Sequence, residues 1–282
     1  MGQNKITIQD IKQAKKERRK IIMATAYDYP FGLIADEAGV DIVLVGDSLG
    51  MVVMGLDGTV AVTMDQMIHH IRAVVSGCKK ALVVGDMPFM SYNTSIREAI
   101  INAGRLMKEG GCDVVKLEGG VDFAPTVEAI IKAGIPVQGH IGLTPQTASA
   151  LGGFKMQGKD AQAAKSIIDD AKALEDAGAF SLVLEAVPAP LGELVAKSVA
   201  VPVIGIGAGS QVDGQVLVTH DMVGLFDKFV PKFVKQYAQI RPTIIDALKT
   251  FKEEVSNESF PASEHSFSMP DKTLDELKKI ID

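Results

Sequence analysis

The stretch Asp41 to Gly50, D-I-V-L-V-G-D-S-L-G, decides how the chain is read, because an apolar strand-like run stops abruptly at a glycine and a carboxylate. A second run, Ala81 to Asp86 (A-L-V-V-G-D), closes on the same Gly-Asp pair, and a third, Asp113 to Glu118 (D-V-V-K-L-E), closes on Lys116 and Glu118. If these strands are parallel neighbours in one sheet, Asp47, Asp86 and Glu118 converge at its carboxyl edge, where α/β enzymes keep their chemistry. Three hard oxygen donors around one point suit a magnesium-like cation.

Working outward, further strand-like runs are Ile21 to Ala26, Ile135 to Gly139 (delivering His140), Phe180 to Leu184 (ending at Glu185), Val201 to Ile206, and Gln215 to Thr219. Helical segments alternate with them: one ending near Gly39, then Met64 to Val75 capped by Thr63, Thr94 or Ser95 to Glu109, Pro125 to Ala133, Ala161 to Gly178, and a helix beyond Pro231 that closes the set. The pattern predicts an α/β fold, a (β/α)8 TIM barrel over residues 1–255, with right-handed crossovers. Ahead of it, Ile8, Ile11 and Ala14 at helical spacing predict an N-terminal helix, with Thr7 or Asp10 to cap it, that caps the barrel's bottom. Residues 256–282 form a C-terminal extension whose amphipathic tail helix, with Leu274, Leu277 and Ile281 on one stripe, must dock on this subunit or a neighbour. Two long irregular stretches, Gly50 to Thr63 and Gly142 to Asp160, leave strand carboxyl ends and are candidate lids.

Composition narrows the classes. With 47% hydrophobic residues, 5% aromatics and no Trp, the 282-residue chain must build its core from aliphatic side chains, as a barrel does. A formal net charge of −6 argues against nucleic acid, which needs clustered cations. The one basic run, Lys15 to Lys20, reads as a solvated helix end. Two cysteines, Cys78 and Cys112, sit outside any C-x-x-C pair and read as reduced thiols. No apolar run is long enough to cross a membrane, the N-terminus lacks a secretory stretch, and Gly2 is followed by Ile6 rather than the hydroxyl residue that myristoylation favours. A cytoplasmic location is expected.

Each candidate has a bland alternative. A single acid at a strand end is often a helix cap, and three in succession weigh against that. Lys116 and Glu118 lie two apart on a strand and share a face, as a functional pair or as a self-neutralising one. His140 is a substrate contact or a rim histidine. Glu185 lies between L-V-L and A-V-P-A-P, an apolar setting suited to a general base, with capping as its rival. The run Gly205-Ile206-Gly207-Ala208-Gly209 is a weak phosphate-cradle signal and more simply a tight turn. His69 and His70 point about 100° apart on a helix and make a poor chelate.

Nine stretches carry a resemblance: T-A-Y-D-Y at Thr25, L-V-G-D-S-L-G-M at Leu44, D-M-P-F-M at Asp86, V-K-L-E-G-G at Val115, G-H-I-G-L-T-P-Q at Gly139, L-E-A-V-P at Leu184, P-V-I-G-I-G-A-G at Pro202, D-G-Q-V-L-V-T-H-D at Asp213 and E-H-S-F at Glu264. In these the chain closely resembles the ketopantoate hydroxymethyltransferase family. The resemblance implies a homo-oligomeric barrel, a decamer by family pattern, that transfers a one-carbon unit from 5,10-methylenetetrahydrofolate to 3-methyl-2-oxobutanoate (2-oxoisovalerate) in pantothenate biosynthesis, through a metal-stabilised enolate. It also implies roles: Asp47, Asp86 and Glu118 for Mg2+ or another divalent cation; Asp47, Ser48, Asp86, Lys116 and His140 for the keto acid; Glu185 as proton acceptor. The chain runs on from Phe267 to Asp282, past the expected end of the family pattern. Rival readings are a magnesium barrel of the phosphoenolpyruvate and isocitrate lyase type, whose cysteine-bearing lid is not evident here, and a silent metal- or keto-acid-binding barrel.

Overall fold

The computed structural model describes residues 5–150 and 152–281. Gly2, Leu151 and Asp282, and with Gly2 the myristoylation and leader readings, lie outside the described residues.

Eight parallel strands close into a barrel in sequence order: β1 (Ile21–Thr25), β2 (Ile42–Val45), β3 (Leu82–Asp86), β4 (Val114–Glu118), β5 (Val137–Gly142), β6 (Ser181–Glu185), β7 (Val203–Ile206) and β8 (Gly214–Leu217). The helices are α1 (Ile8–Lys16), α2 (Tyr29–Glu37), α3 (Leu49–Val52), α4 (Met64–Gly77), α5 (Ile96–Arg105), α6 (Ala124–Lys132), α7 (Ala161–Asp176), α8 (Ala189–Ser198), α9 (Thr219–Met222), α10 (Ile240–Ser256) and α11 (Asp271–Ile281). Thr7, Asp28, Thr63, Ser95 and Asp160 cap α1, α2, α4, α5 and α7 with side-chain oxygens, each accepting from a first-turn N–H that has no helical partner.

Strand alternation sorts the interior. Ile21, Met23, Ile42, Leu44, Leu82, Val84, Val114, Val183, Ile204 and Val216 fill the barrel, and α1 plugs its amino end with Ile11 and Ala14, as expected. Outward-facing residues such as Val43, Val83, Val115 and Leu182 pack under the helices in a second core. Two residues further along the strands the inward positions turn from apolar to charged: Val84 gives way to Asp86, Val114 to Lys116 and Glu118, and Val183 to Glu185. The register pairs Asp86 with Lys116 and Glu118 with His140, so the charges share one level of the barrel.

Four expectations need correction. His140 lies within β5 rather than just beyond it; the strand starts later because Pro136 has no N–H to donate to the ladder. The last strand ends at Leu217 rather than Thr219, and Thr219–Met222 is helical, which puts His220 and Asp221 on α9. The basic run is not simply solvated: Lys15 Nζ donates to the carbonyls of Ala196, Val199 and Val201 and pairs with Asp213 at 2.9 Å, tying α1 to the barrel's amino end. The helix expected to close the set exists as α10, yet none of its residues is buried. The outer face of β8 and β1 is consequently open, and the register partners Ile22 and Gln215 are both exposed, Ile22 by 49%. The tail helix α11 likewise has no buried residue, so of its two expected docking places this chain is not one.

Candidate active site

Three successive strand ends set the acids. Asp47 follows β2, Asp86 ends β3, and Lys116 and Glu118 occupy the last inward positions of β4; all four are buried. The Asp47 N–H donates to Asp86 Oδ2 at 3.2 Å, and Lys116 Nζ stands 2.9 Å from Asp86 Oδ1. Burial, with the Asp86 and Glu118 charges, holds Asp47 well above the usual carboxylate range. Burial also raises Asp86, despite the neighbouring ammonium. For Lys116 burial works against the charge, but Asp86, Glu118 and Asp47 outweigh it and keep the side chain protonated beyond its ordinary range.

His140 on β5 links this cluster to Glu185 at the end of β6. Its Nδ1 lies 3.3 Å from Lys116 Nζ and 3.4 Å from Glu118 Oε1, and its Nε2 lies 3.2 Å from Glu185 Oε2. Burial and Lys116 oppose a second proton on the ring, while Glu118 and Glu185 favour one strongly enough to push His140 up to about 9. In the charged ring both nitrogens carry hydrogen; in the neutral ring Nδ1 must accept from the ammonium, which leaves the hydrogen on Nε2. Either way Nε2–H faces Glu185. The pair is within reach but not aligned as a hydrogen bond. The apolar flanks of Glu185 therefore do not isolate it, because its working neighbour comes from the adjacent strand. Gly142 makes this approach possible: its φ of +89° ends β5, and a Cβ there would collide with the Glu185 carbonyl.

The structure thus brings Asp47, Asp86, Lys116, Glu118, His140 and Glu185 into one cluster. Ser48 sits at its edge, its Oγ 2.8 Å from the hydroxyl of buried Tyr27. His70 Nδ1 is 2.6 Å from the Tyr27 carbonyl and takes no part. Gly207 serves as a turn, with φ +66° and Phe233 against it, as the simpler reading had it. Sequence reasoning missed Tyr92 and Gln146, both buried and both bonded into the acid cluster. Gln146 lies in one of the quoted motifs, but an irregular loop has no periodicity to show where its side chain goes.

Among the described residues, no three His, Cys, Asp or Glu side chains already stand as a metal cage. The reason is visible in the bonding: the Asp47 and Glu118 oxygens are engaged by Gln146, and Asp86 by Lys116 and the Asp47 amide. The donor set still fits a hard cation. It offers three buried carboxylates, all oxygen donors, against one lysine.

A further buried acid lies on the same face. Asp221 on α9 has an Oδ1 without a partner, and burial pushes its carboxyl up to about 6 from 3.8. The folded chain then holds this proton more tightly than the unfolded one, so stability falls as pH rises from about 4 to about 6 and stays reduced above. Asp221→Asn is expected to stabilise the protein at pH 8 by on the order of 2 kcal/mol and by nothing near pH 4. Urea unfolding at the two pH values checks this, and an equal gain at both would refute it.

A closed parallel barrel with a buried acid–base cluster at its carboxyl end defines an enzyme of the (β/α)8 class. Solved structures agree on the fold. A phosphonopyruvate hydrolase aligns with TM-score 0.61 at 12% identity, covering 97% of both chains. A 2,3-dimethylmalate lyase, a member of the PEP mutase/isocitrate lyase superfamily, aligns with TM-score 0.56 at 13% identity, again over 97% of both. Sequence is more specific. The profile of the family described as Ketopantoate hydroxymethyltransferase matches residues 5–263, and the chain belongs to that family. The 3-methyl-2-oxobutanoate hydroxymethyltransferase of Oleidesulfovibrio alaskensis is 58% identical over 266 residues, 94% of this chain and 92% of its own length. The enzyme of the same name from Syntrophobacter fumaroxidans is 54% identical over 279 residues, 99% of each chain. That alignment takes in the stretch after Phe267, so the tail is shared with this relative, while the family profile itself ends at residue 263, short of the tail.

Proposed function

We propose that the chain transfers a hydroxymethyl group from 5,10-methylenetetrahydrofolate to 3-methyl-2-oxobutanoate, giving 2-dehydropantoate, as a cytoplasmic step of pantothenate biosynthesis. Family membership supports the reaction. The observation that carries the mechanism is the Glu185 carboxylate at the barrel mouth, 3.2 Å from His140 Nε2, with the Lys116 and Asp86 pair beyond the same ring.

Asp47, Asp86 and Glu118 would hold Mg2+ or a similar divalent cation. Such an ion supplies Lewis acidity at the substrate's ketone and carboxylate oxygens. Lys116 and the Ser48 hydroxyl bind the keto-acid oxygens and offset the negative charge that develops there. Glu185 accepts the proton from the tertiary carbon beside the ketone. The electron pair of that C–H bond moves toward the carbonyl, and the resulting enolate carbon forms the new bond to the donor's methylene carbon. As that carbon's two bonds to folate nitrogens break, the proton taken by Glu185 and one proton of a water go to the two nitrogens, and the rest of that water supplies the product hydroxyl. His140 turns Nε2–H toward Glu185 in either protonation state, at 3.2 Å. The loops at 50–63 and 142–160 exclude water from the closed site.

The test is proton NMR of 2-oxoisovalerate in heavy water with the intact protein, before any folate is added. Exchange at the tertiary carbon that requires a divalent cation is expected. Binding of the keto acid without exchange would overturn the mechanism.

We also propose that the chain works as a homo-oligomer, with α10 of one copy covering the open β8 and β1 face of another. The support is complementary. Among the described residues no long helix covers the outer face after β8, and Ile22 of β1, Leu194 of α8 and Ile34 of α2 are exposed, while α10 presents Ile244, Leu248, Phe251 and Val255 to solvent. Leu248→Glu is expected to shift the particle mass toward the monomer in light scattering. An unchanged mass, or a wild type that is already monomeric, would remove this contact.

A further inference from the structure

Gln146 bonds to two of the three acids at once, although it is neither an acid nor a base. It lies in a single turn of 3-10 helix, Pro145–Thr147, in the long loop between β5 and α7, and is 3% exposed. Its main-chain N–H donates to Glu118 Oε2 at 3.0 Å. Its side-chain Nε2 donates to Asp47 Oδ2 at 2.8 Å and to the Met87 carbonyl at 2.9 Å. Its Oε1 accepts from the Tyr92 hydroxyl at 2.7 Å.

The direction of these bonds is determined by counting protons. Tyr92 Oη accepts the Glu118 N–H at 3.3 Å, so the one phenolic proton is left for Gln146 Oε1. Turning the amide over would place Oε1 against the Asp47 carboxylate and the Met87 carbonyl, three acceptors with no hydrogen between them. Both amide hydrogens are therefore committed, one to β2's acid and one to the chain just after β3. Tyr92 is itself held edge-to-face on Phe123, with ring centres 5.4 Å apart.

We propose that Gln146 is the positioning residue of the cation site: it sets Asp47 and Glu118 relative to one another and ties the β5–α7 loop to them. The inference rests on the divalent-cation reading of Asp47, Asp86 and Glu118. A neutral donor suits this place. It satisfies one oxygen on each of two like-charged neighbours, leaves Asp47 Oδ1 and Glu118 Oε1 without a bond from it, and adds no charge to compete with the ion. Lysine here would neutralise the site, and an acid would deepen the repulsion.

Isothermal titration of the full chain with Mn2+ alone, without substrate, tests this. Gln146→Met keeps the length and the main-chain N–H but removes both side-chain donors, and should weaken Mn2+ binding roughly 10- to 100-fold, the usual range for groups that orient metal ligands. Tyr92→Phe leaves Gln146 in place but releases its amide, and should weaken binding in the same direction by a smaller factor. It also keeps the test decisive if Gln146→Met does not fold. Mn2+ affinity unchanged in both variants, even with lowered thermal stability, would reduce Gln146 to a packing role and overturn the proposal. Tighter binding in Gln146→Met would overturn it too, by showing that the amide competes with the ion. A wild type that does not bind Mn2+ would instead sink the cation reading underneath.

Discussion

Glu185→Gln is expected to abolish deuterium exchange at the tertiary carbon of 2-oxoisovalerate, slowing it by roughly a hundred- to ten-thousand-fold, the range ascribed to a positioned proton acceptor. The amide is nearly isosteric and still offers an oxygen to His140 Nε2–H, so the local packing persists. Glu185 takes no bond from Gln146 and lies beyond His140 from the Asp86 and Lys116 pair, so Mn2+ and keto-acid binding should stay within a few-fold of wild type. The measurement is exchange by NMR beside titration of both ligands. Exchange at the wild-type rate would remove Glu185 from its role, and joint loss of exchange and binding would make it a structural residue.

Lys116→Met is expected to cost both stability and activity. Among the described residues Lys116 is the one side-chain cation paired with Asp86, and Asp47 and Glu118 also act on its charge. Taking one partner from a buried pair costs about 3–5 kcal/mol, because the other charge stays behind unpaired. The sign with pH follows from the acids. Asp47 and Asp86 hold protons more tightly folded than unfolded, so their ionisation opposes folding as pH rises above the ordinary carboxylate range. Without the ammonium that opposition grows, and the deficit in urea unfolding should be larger at pH 8 than at pH 5. An added divalent cation should restore part of it. A deficit that does not depend on pH would mean that lost packing, and not charge, is what Lys116 contributes.

The acid cluster was legible in the sequence for a simple reason. A strand's side chains alternate with period two, so K-L-E after V-V fixes Lys116 and Glu118 on one face, and a Gly-Asp pair after an apolar run marks a strand's end. Glu185 and His140 were legible as strand-end residues, but their contact was not, since it requires β5 and β6 to be neighbours in register. Tyr27 was visible in its motif only as resemblance, and nothing local linked its hydroxyl to Ser48. Lys15 read as one of several surface cations, yet it caps three carbonyls from residues nearly two hundred positions away.

The sequence by itself determined the eightfold alternation, the plug at the amino end, and the level of the barrel where charge replaces hydrocarbon. Each of these follows from local periodicity, and parallel strands can turn it into only a few arrangements. Tertiary structure alone decided how the acids are held and what remains uncovered. Gln146 reaches Asp47 across 99 positions of chain from a loop without a repeat. Whether α10 lies on its own barrel depends on the path of residues 223–239, and an amphipathic stripe states that a helix needs a partner without saying which surface provides it.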